Sequence, residues 1–163
     1  MSGTLYGVGV GPGDPELMTV KAWRLISMAP VVAFLTANGE HSTARAIAKP
    51  FLPDDAILLP IDMPMRVERA PGEAAYDAGA AAIAAHLREG RDVVFLCEGD
   101  PFFYGSFMYL FARLADEFET VVVPGVTSIT AAAAAIARPL AARNEVVKVL
   151  PATLPPERLH AEL

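Results

Sequence analysis

The chain has 163 residues, enough for one domain with a sizeable core; 53% of them are hydrophobic and 20% are charged. This composition excludes a disordered, coiled-coil or collagen-like chain. Nineteen acidic and 13 basic residues give a net charge of −6, so nothing attracts the chain as a whole to nucleic acid. The single cysteine, Cys97, cannot form an internal disulfide, which fits a reducing cytoplasm.

No stretch of the sequence predicts a membrane-spanning segment or a secretory signal. The apolar run 31–37 is too short to cross a bilayer, and the alanine-rich run after Ser128 meets Arg138 and Pro139. The first basic residue is Lys21, so the N-terminus lacks the charged region of a signal peptide. We therefore expect a cytoplasmic protein with neither a membrane nor a nucleic-acid partner.

Short apolar runs, typical of strands, alternate with helical segments along the chain. The predicted strands are 5–10, 30–35, 56–59, 92–97 and 120–123, and the predicted helices are 15–28, 42–48, 72–88, 106–117 and 127–137. The strands are apolar throughout rather than alternating, which predicts burial on both faces. The sequence therefore predicts an α/β fold with a mostly parallel sheet flanked by helices.

The end of the chain differs from what precedes it. Pro139 stops the last predicted helix, and 138–145 is typical of a linker. A further strand at 146–150 and a helix from 157 to 163 are too little to form a core. We expect residues 1–140 to form an N-terminal α/β domain. Residues 141–163 are expected to form the linker and the beginning of a second α/β domain whose remainder is missing.

Three predicted strands end in glycine-rich loops: GVGVGPGDP at 7–15, CEGDPFFYG at 97–105 and VPGVTS at 123–128. Glycine permits close approach of the backbone and positive φ angles. Asp14 suits a helix N-cap, and Pro15 suits the first helical position. Because parallel sheets bind ligands beyond the carboxyl ends of their strands, the three loops predict one shared crevice.

The residues of the three loops limit which classes of ligand the crevice can bind. A dinucleotide fingerprint fails because Asp14 replaces the third glycine counted from Gly9, and Gly-Lys-Ser/Thr, which marks a P-loop, is absent. Asp14 and Asp100, unless they act as caps, suit a cation better than a phosphate. S-adenosylmethionine meets these requirements, because its sulfonium is cationic and its carboxylate suits the helix start at 127–128. The same loops also permit other ligands.

Three motifs in order, GVGPGDPELMT, EGDPFFYGSF and VPGVTSITAA, resemble those of the tetrapyrrole methylase family. Within that family, LCEGDPFFYGSFMYLF resembles the branch that methylates C20 of precorrin-2, with Glu98 where relatives often have glycine. The stretches Pro64-Met65 and LPATLPPERL resemble the same branch.

The resemblance implies an S-adenosylmethionine-dependent methyltransferase of cobalamin synthesis, with S-adenosylhomocysteine as product. It also implies two α/β domains with the cofactor between them, a homodimer, and precorrin-2 or its cobalt-bearing counterpart as substrate. Two alternatives stay open. One is a methylase of the same fold that acts on uroporphyrinogen III, RNA or a protein side chain; the other is a non-catalytic nucleotide-binding α/β module.

The resemblance also implies a set of site residues. The expected cofactor contacts are Pro12, Gly13, Asp14, Glu98, Gly99, Asp100, Phe103, Thr127 and Ser128. Arg66 and Arg69 are candidates for binding substrate carboxylates, to which arginine is suited. No catalytic base is assigned, and no metal site is expected, because the histidines lack ligand spacing with the cysteine. By residue type alone, the candidates for a base are His41, Asp62, Glu68 and Tyr104.

Overall fold

The computed structural model describes residues 1–64 and 69–163. Within them, five strands form one parallel sheet in the order β3-β2-β4-β1-β5, which confirms the predicted fold class. The strands are β1 (Leu5–Gly9), β2 (Val31–Ala37), β3 (Ile57–Met63), β4 (Val93–Cys97) and β5 (Thr120–Val123).

The helices are α1 (Val20–Ile26), α2 (Thr43–Ala48), α3 (Arg69–Arg88), α4 (Phe107–Leu114), α5 (Ser128–Ala135) and α6 (Pro156–Glu162). Helices α1 and α2 cover one face of the sheet, and α3 and α4 cover the other. Along β4 the apolar side chains alternate between two cores, and every residue of this strand is buried. Phe95 packs in a cluster with residues of α3 and α4, whereas Leu96 packs with residues of α1 and α2. Among the described helices, none is both long and apolar enough to cross a membrane.

The single helix predicted at 15–28 is wrong, because the chain forms two shorter pieces there. Pro15–Leu17 is a 3-10 turn, and α1 begins only after Thr19. Met18 between them is extended, with φ −71° and ψ 139°. Thr19 Oγ1 then accepts a hydrogen bond from the Ala22 N–H at 3.2 Å, which caps a new helix start.

Strand β3 continues beyond its predicted end at residue 59 and includes Pro60. Proline has no N–H to donate, so it is tolerated where one side of a strand is unpaired. β3 is at the edge of the sheet and pairs with β2 alone, with Pro60 opposite Phe34. The edge position therefore explains why proline does not end this strand.

The chain divides into two compact units, Met1–Ala131 and Ala132–Leu163. In the second, the Lys148 ammonium lies 3.1 Å from the Glu162 carboxylate of α6. The strand predicted at 146–150 is wrong: that segment is irregular, and Val146 is exposed. A strand needs a hydrogen-bonded neighbour, and no described strand pairs with this segment. The predicted domain limits, 1–140 and 141–163, stay a prediction.

Candidate functional site

The three glycine-rich loops follow strands that are neighbours in the sheet, β4, β1 and β5. At their carboxyl ends the loops pack backbone against backbone. A Cβ atom on Gly125 would lie 2.0 Å from the Gly99 carbonyl oxygen and 2.9 Å from the Gly9 Cα. A Cβ atom on Gly9 would lie 2.5 Å from the same oxygen. We call Gly9, Gly99 and Gly125 the glycine junction; no larger residue fits at Gly9 or Gly125 without displacing a loop.

Backbone hydrogen bonds join the first two loops. The Gly99 N–H donates to the Gly11 carbonyl at 2.8 Å, and the Gly11 N–H lies 3.4 Å from the Gly99 carbonyl. Both residues have positive φ angles, +82° for Gly11 and +65° for Gly99, where a side chain would be strained. The conformation therefore requires the glycines that the sequence motif contains.

The two aspartates of the repeated Gly-Asp-Pro element have different structural roles. Asp14 Oδ1 accepts one hydrogen bond, from the Glu16 N–H at 2.9 Å, and so caps the 3-10 turn. Asp100 accepts two: Oδ1 from the Phe102 N–H at 2.9 Å and Oδ2 from the Gly125 N–H at 3.0 Å. Asp100 therefore ties the second loop to the third.

These hydrogen bonds bear on which carboxylate could offset a positive charge on a ligand in the crevice. Both aspartate carboxylates cap backbone N–H groups, whereas the Glu98 side chain is exposed. Among the described residues, none forms a hydrogen bond or ion pair with the Glu98 carboxylate. Glu98 is therefore better placed than Asp14 or Asp100 to offset a positive charge on a ligand.

A cleft of about 480 Å³ opens at the carboxyl ends of the strands. Gly13 and Asp14 are not among its lining residues. Whether any of the predicted contacts binds a cofactor stays a prediction. The predicted cofactor contacts that line the cleft are Pro12, Glu98, Gly99, Asp100, Phe103, Thr127 and Ser128.

Sequence reasoning missed a second wall of the cleft, formed by the end of β2, the start of α2 and part of α3. The signal was available, because residues 38–43 also follow the carboxyl end of a strand, β2. The Thr36 hydroxyl lies 3.5 Å from the Ile61 carbonyl oxygen and 3.4 Å from the Asp62 carboxylate. The polar cleft residues that sequence reasoning missed are Thr36, Ser42, Thr43, Tyr76 and Ser106.

The candidate bases and the candidate substrate-binding arginines lie in different parts of the chain. His41 and Tyr104 line the cleft, whereas Asp62 accepts a hydrogen bond from the Gly39 N–H. Arg66 and Glu68 lie outside the described residues. Arg69 is the first residue of α3 rather than part of a loop, and its side chain is not described. Substrate binding by the two arginines therefore stays a prediction.

Two buried side chains that line the cleft, Cys97 and Tyr76, are weak acids. Burial raises the pKa of the Cys97 thiol to about 12, although a hydrogen bond from the Phe107 backbone acts in the opposite direction. Burial likewise raises the pKa of Tyr76, which also forms a hydrogen bond with Ser106. At neutral pH neither group is a nucleophile or a base. In the described part of the chain, no three His, Cys, Asp or Glu side chains are grouped as metal ligands.

The buried thiol predicts a fall of stability at high pH. Because the pKa of Cys97 is higher in the folded state, only the unfolded chain loses this proton between about pH 9 and pH 12. The contribution of Cys97 is complete below pH 9 and declines by about 1.4 kcal/mol for each pH unit within that window. Urea titrations of wild type and Cys97→Ala from pH 8 to pH 11 measure the slope. A Cys97→Ala variant with the wild-type slope would contradict the assignment.

Comparison with known proteins supplies the family. The model of the Tetrapyrrole (Corrin/Porphyrin) Methylases matches residues 4–163. A cobalamin biosynthesis protein, CobIJ of Mycobacterium tuberculosis, is 50% identical over 94% of this chain and 32% of its own length. A precorrin-2 C(20)-methyltransferase of Sinorhizobium is 41% identical over 93% of this chain and 65% of its own length. The chain thus spans one third to two thirds of these curated relatives.

A solved structure adds a bound ligand to the comparison. Uroporphyrin-III C-methyltransferase of Thermus thermophilus, complexed with S-adenosylhomocysteine, is 30% identical with a TM-score of 0.60, covering 87% of this chain and 51% of that one. Tetrapyrrole methylases use S-adenosylmethionine as methyl donor. The family model matches the chain almost from end to end, the sheet is parallel as expected, and the three motif loops meet at one cleft. The chain therefore belongs to the tetrapyrrole methylase family.

Proposed function

We propose that the cleft binds S-adenosylmethionine and that the protein methylates C20 of precorrin-2, or of its cobalt-bearing counterpart, in cobalamin synthesis. The observation that supports this most is the meeting of three motif loops at one cleft. The Sinorhizobium relative supports the choice of position C20. That the protein is a cytoplasmic homodimer stays a prediction from composition and from the family resemblance.

The residues of the cleft fit this cofactor. A volume of about 480 Å³ lies within the usual range for small-molecule sites. The unpaired Glu98 carboxylate suits a cationic sulfonium, and the backbone N–H groups at the start of α5 suit a carboxylate. The glycine junction leaves bare backbone beside the cleft, which a ligand can approach closely.

When bound, S-adenosylmethionine supplies a methyl group that its sulfonium already activates. The task left to the chain is to hold donor and acceptor in line, and a loop fixed at both ends by Asp100 suits that task. The proposal needs no protein nucleophile, because an electron-rich carbon of the substrate attacks the methyl group. The buried Cys97 thiol that lines the cleft, whose pKa burial raises to about 12, agrees with this.

A second candidate substrate is uroporphyrinogen III, because solved uroporphyrin-III methyltransferases share 30–34% identity with this chain. The test for substrate uses a chimera in which residues 1–131 replace the matching part of the Sinorhizobium enzyme. We expect methylation of precorrin-2 in preference to uroporphyrinogen III, measured by mass spectrometry of the products. Preference for uroporphyrinogen III would overturn the assignment of C20.

The test for the cofactor is calorimetric titration of the 163-residue chain with S-adenosylhomocysteine, NAD and ATP, after circular dichroism has confirmed folding. We expect saturable binding of S-adenosylhomocysteine and none of the other two. Binding of NAD or ATP alone would favour the non-catalytic nucleotide-binding module. If the folded chain binds none of the three ligands, the same titration is repeated with the chimera. A chimera that does not bind S-adenosylhomocysteine would reject the proposed cofactor.

Glu98→Gln is expected to weaken binding of the cofactor, S-adenosylmethionine, more than binding of its product, S-adenosylhomocysteine. The substitution removes the negative charge but keeps the shape, and S-adenosylmethionine differs from S-adenosylhomocysteine by a methyl group and a positive charge. We expect affinity for S-adenosylmethionine to fall about fivefold and affinity for S-adenosylhomocysteine to change less than about twofold, as for a partly exposed ion pair. Asp55→Asn, a charge change outside the cleft lining, is the matched control. Equal losses for both ligands would contradict this role of Glu98.

A further inference from the structure

Tyr104 has a backbone conformation that its side chain disfavours. Its φ angle is +54°, in the left-handed region where a bulky residue is strained and glycine is not. The side chain is 65% exposed, so packing of the core does not require an aromatic ring at this position. The same residue lines the cleft. Strain at an exposed residue beside a ligand cleft points to a functional role.

The surrounding loop is built firmly enough to hold this conformation. Asp100 fixes the loop at the Phe102 and Gly125 N–H groups. The Phe102 ring packs edge-on against Phe111, with centroids 5.2 Å apart. A Cβ atom on Gly105 would lie 2.4 Å from the Pro101 carbonyl oxygen. These contacts restrict the loop on both sides of Tyr104, so strain there does not simply relax.

The ring of Tyr104 is oriented by its neighbour. Phe103 also lines the cleft, and the two rings meet at an interplanar angle of 81° with centroids 5.2 Å apart. This edge-to-face geometry is a favourable arrangement of aromatic side chains. The pair therefore presents two differently oriented aromatic surfaces beside the cleft, with most of the Tyr104 ring open to a ligand.

We propose that Tyr104 is a substrate-contact residue whose strained backbone holds its ring in place to stack on the flat, conjugated rings of a tetrapyrrole. The inference rests on the proposed function, because it requires a tetrapyrrole in this cleft. The aromatic face makes the main contact, and the hydroxyl group adds little. Glycine at this position would relieve the backbone strain and remove the contact.

The test compares Tyr104→Gly and Tyr104→Phe with the wild-type chain. The probes are sirohydrochlorin, a coloured polycarboxylate tetrapyrrole followed by absorbance, and S-adenosylhomocysteine followed by calorimetry. For Tyr104→Gly we expect a melting temperature about 2–4 °C higher and a tetrapyrrole affinity about tenfold lower. Tyr104→Phe should keep tetrapyrrole affinity within about threefold, because the ring remains. S-adenosylhomocysteine should bind all three proteins within about twofold, because Tyr104 is not among its predicted contacts.

Trp23→Ala is the control for nonspecific stacking, because Trp23 is a half-exposed aromatic that is not among the cleft residues. It should leave the affinity for sirohydrochlorin unchanged. Wild-type tetrapyrrole affinity in Tyr104→Gly overturns this inference and leaves the proposed cofactor in place. A wild-type chain that binds S-adenosylhomocysteine but not sirohydrochlorin also overturns it. A folded wild-type chain that binds neither ligand overturns this inference, and the titration of the chimera then decides the proposed function.

Discussion

Gly125→Ala is expected to lower the free energy of unfolding by about 3 kcal/mol and to abolish binding of S-adenosylhomocysteine. The added methyl group would lie 2.0 Å from the Gly99 carbonyl oxygen and 2.9 Å from the Gly9 Cα, and both are backbone atoms. Backbone cannot yield as a flexible side chain can, so the loops must separate. For a chain of this size the melting temperature should fall by about 6–12 °C, which thermal unfolding followed by circular dichroism measures.

Gly72→Ala is the matched control. A Cβ atom on Gly72, within α3, would lie 3.8 Å from the Met63 sulfur, an ordinary contact. Because alanine favours helix more than glycine does, this variant should be about 0.5–1 kcal/mol more stable than wild type and should bind normally. If Gly125→Ala were as stable as wild type, the glycine junction would not be packed as described.

Asp100→Ala is expected to produce the second largest loss, about 3 kcal/mol of unfolding free energy together with a large loss of S-adenosylhomocysteine affinity. Removing the carboxylate leaves the Phe102 and Gly125 N–H groups without their acceptor and releases the second loop from the third. Asp100→Asn should be intermediate, because the amide oxygen can accept from one N–H while its NH₂ group faces the other. Urea unfolding and calorimetry measure the two effects.

Asp14→Ala is the comparison for Asp100, because both aspartates belong to Gly-Asp-Pro elements. Asp14 accepts a single hydrogen bond at an exposed turn and is not among the cleft residues. Its replacement should cost about 1 kcal/mol, the usual effect of a lost cap, with ligand affinity nearly unchanged. Equal effects at the two positions would show that Asp100 does not link the loops.

Much of the fold could be predicted because its signals are local. Fully apolar runs such as Val93–Cys97 are typical of a parallel sheet, and the capping residues Asp14 and Ser42 indicate where turns and helices begin. The two predictions that were wrong have different causes, one distant in sequence and one local. Residues 146–150 have a strand-like composition but no described strand beside them. Met18 interrupts a helical pattern because a second cap follows at once.

The candidate site could be predicted only where its motifs follow a strand with a glycine signature. The second wall, which includes Thr36 and Tyr76, has no such signature, and the place of Tyr76 depends on the packing of α3. The hydrogen bonds of Asp100 could not be predicted from the sequence either, because one of its two partners, Gly125, lies in another loop. Sequence spacing cannot reveal which carboxylate remains unpaired; Asp14 and Asp100 accept hydrogen bonds from backbone N–H groups, and among the described contacts Glu98 accepts none.

The strand order has a consequence for folding. Strands β1 and β2 follow one another in the chain but do not pair, because β4 lies between them. The contact of Gly9 with Gly99 closes a loop of roughly ninety residues, and such distant pairings slow folding. The cleft can therefore form only once β4 has inserted and β5 has joined the far side of β1. A ligand of this cleft should bind only after the sheet is complete, near the end of folding. It should therefore slow unfolding more than it speeds refolding.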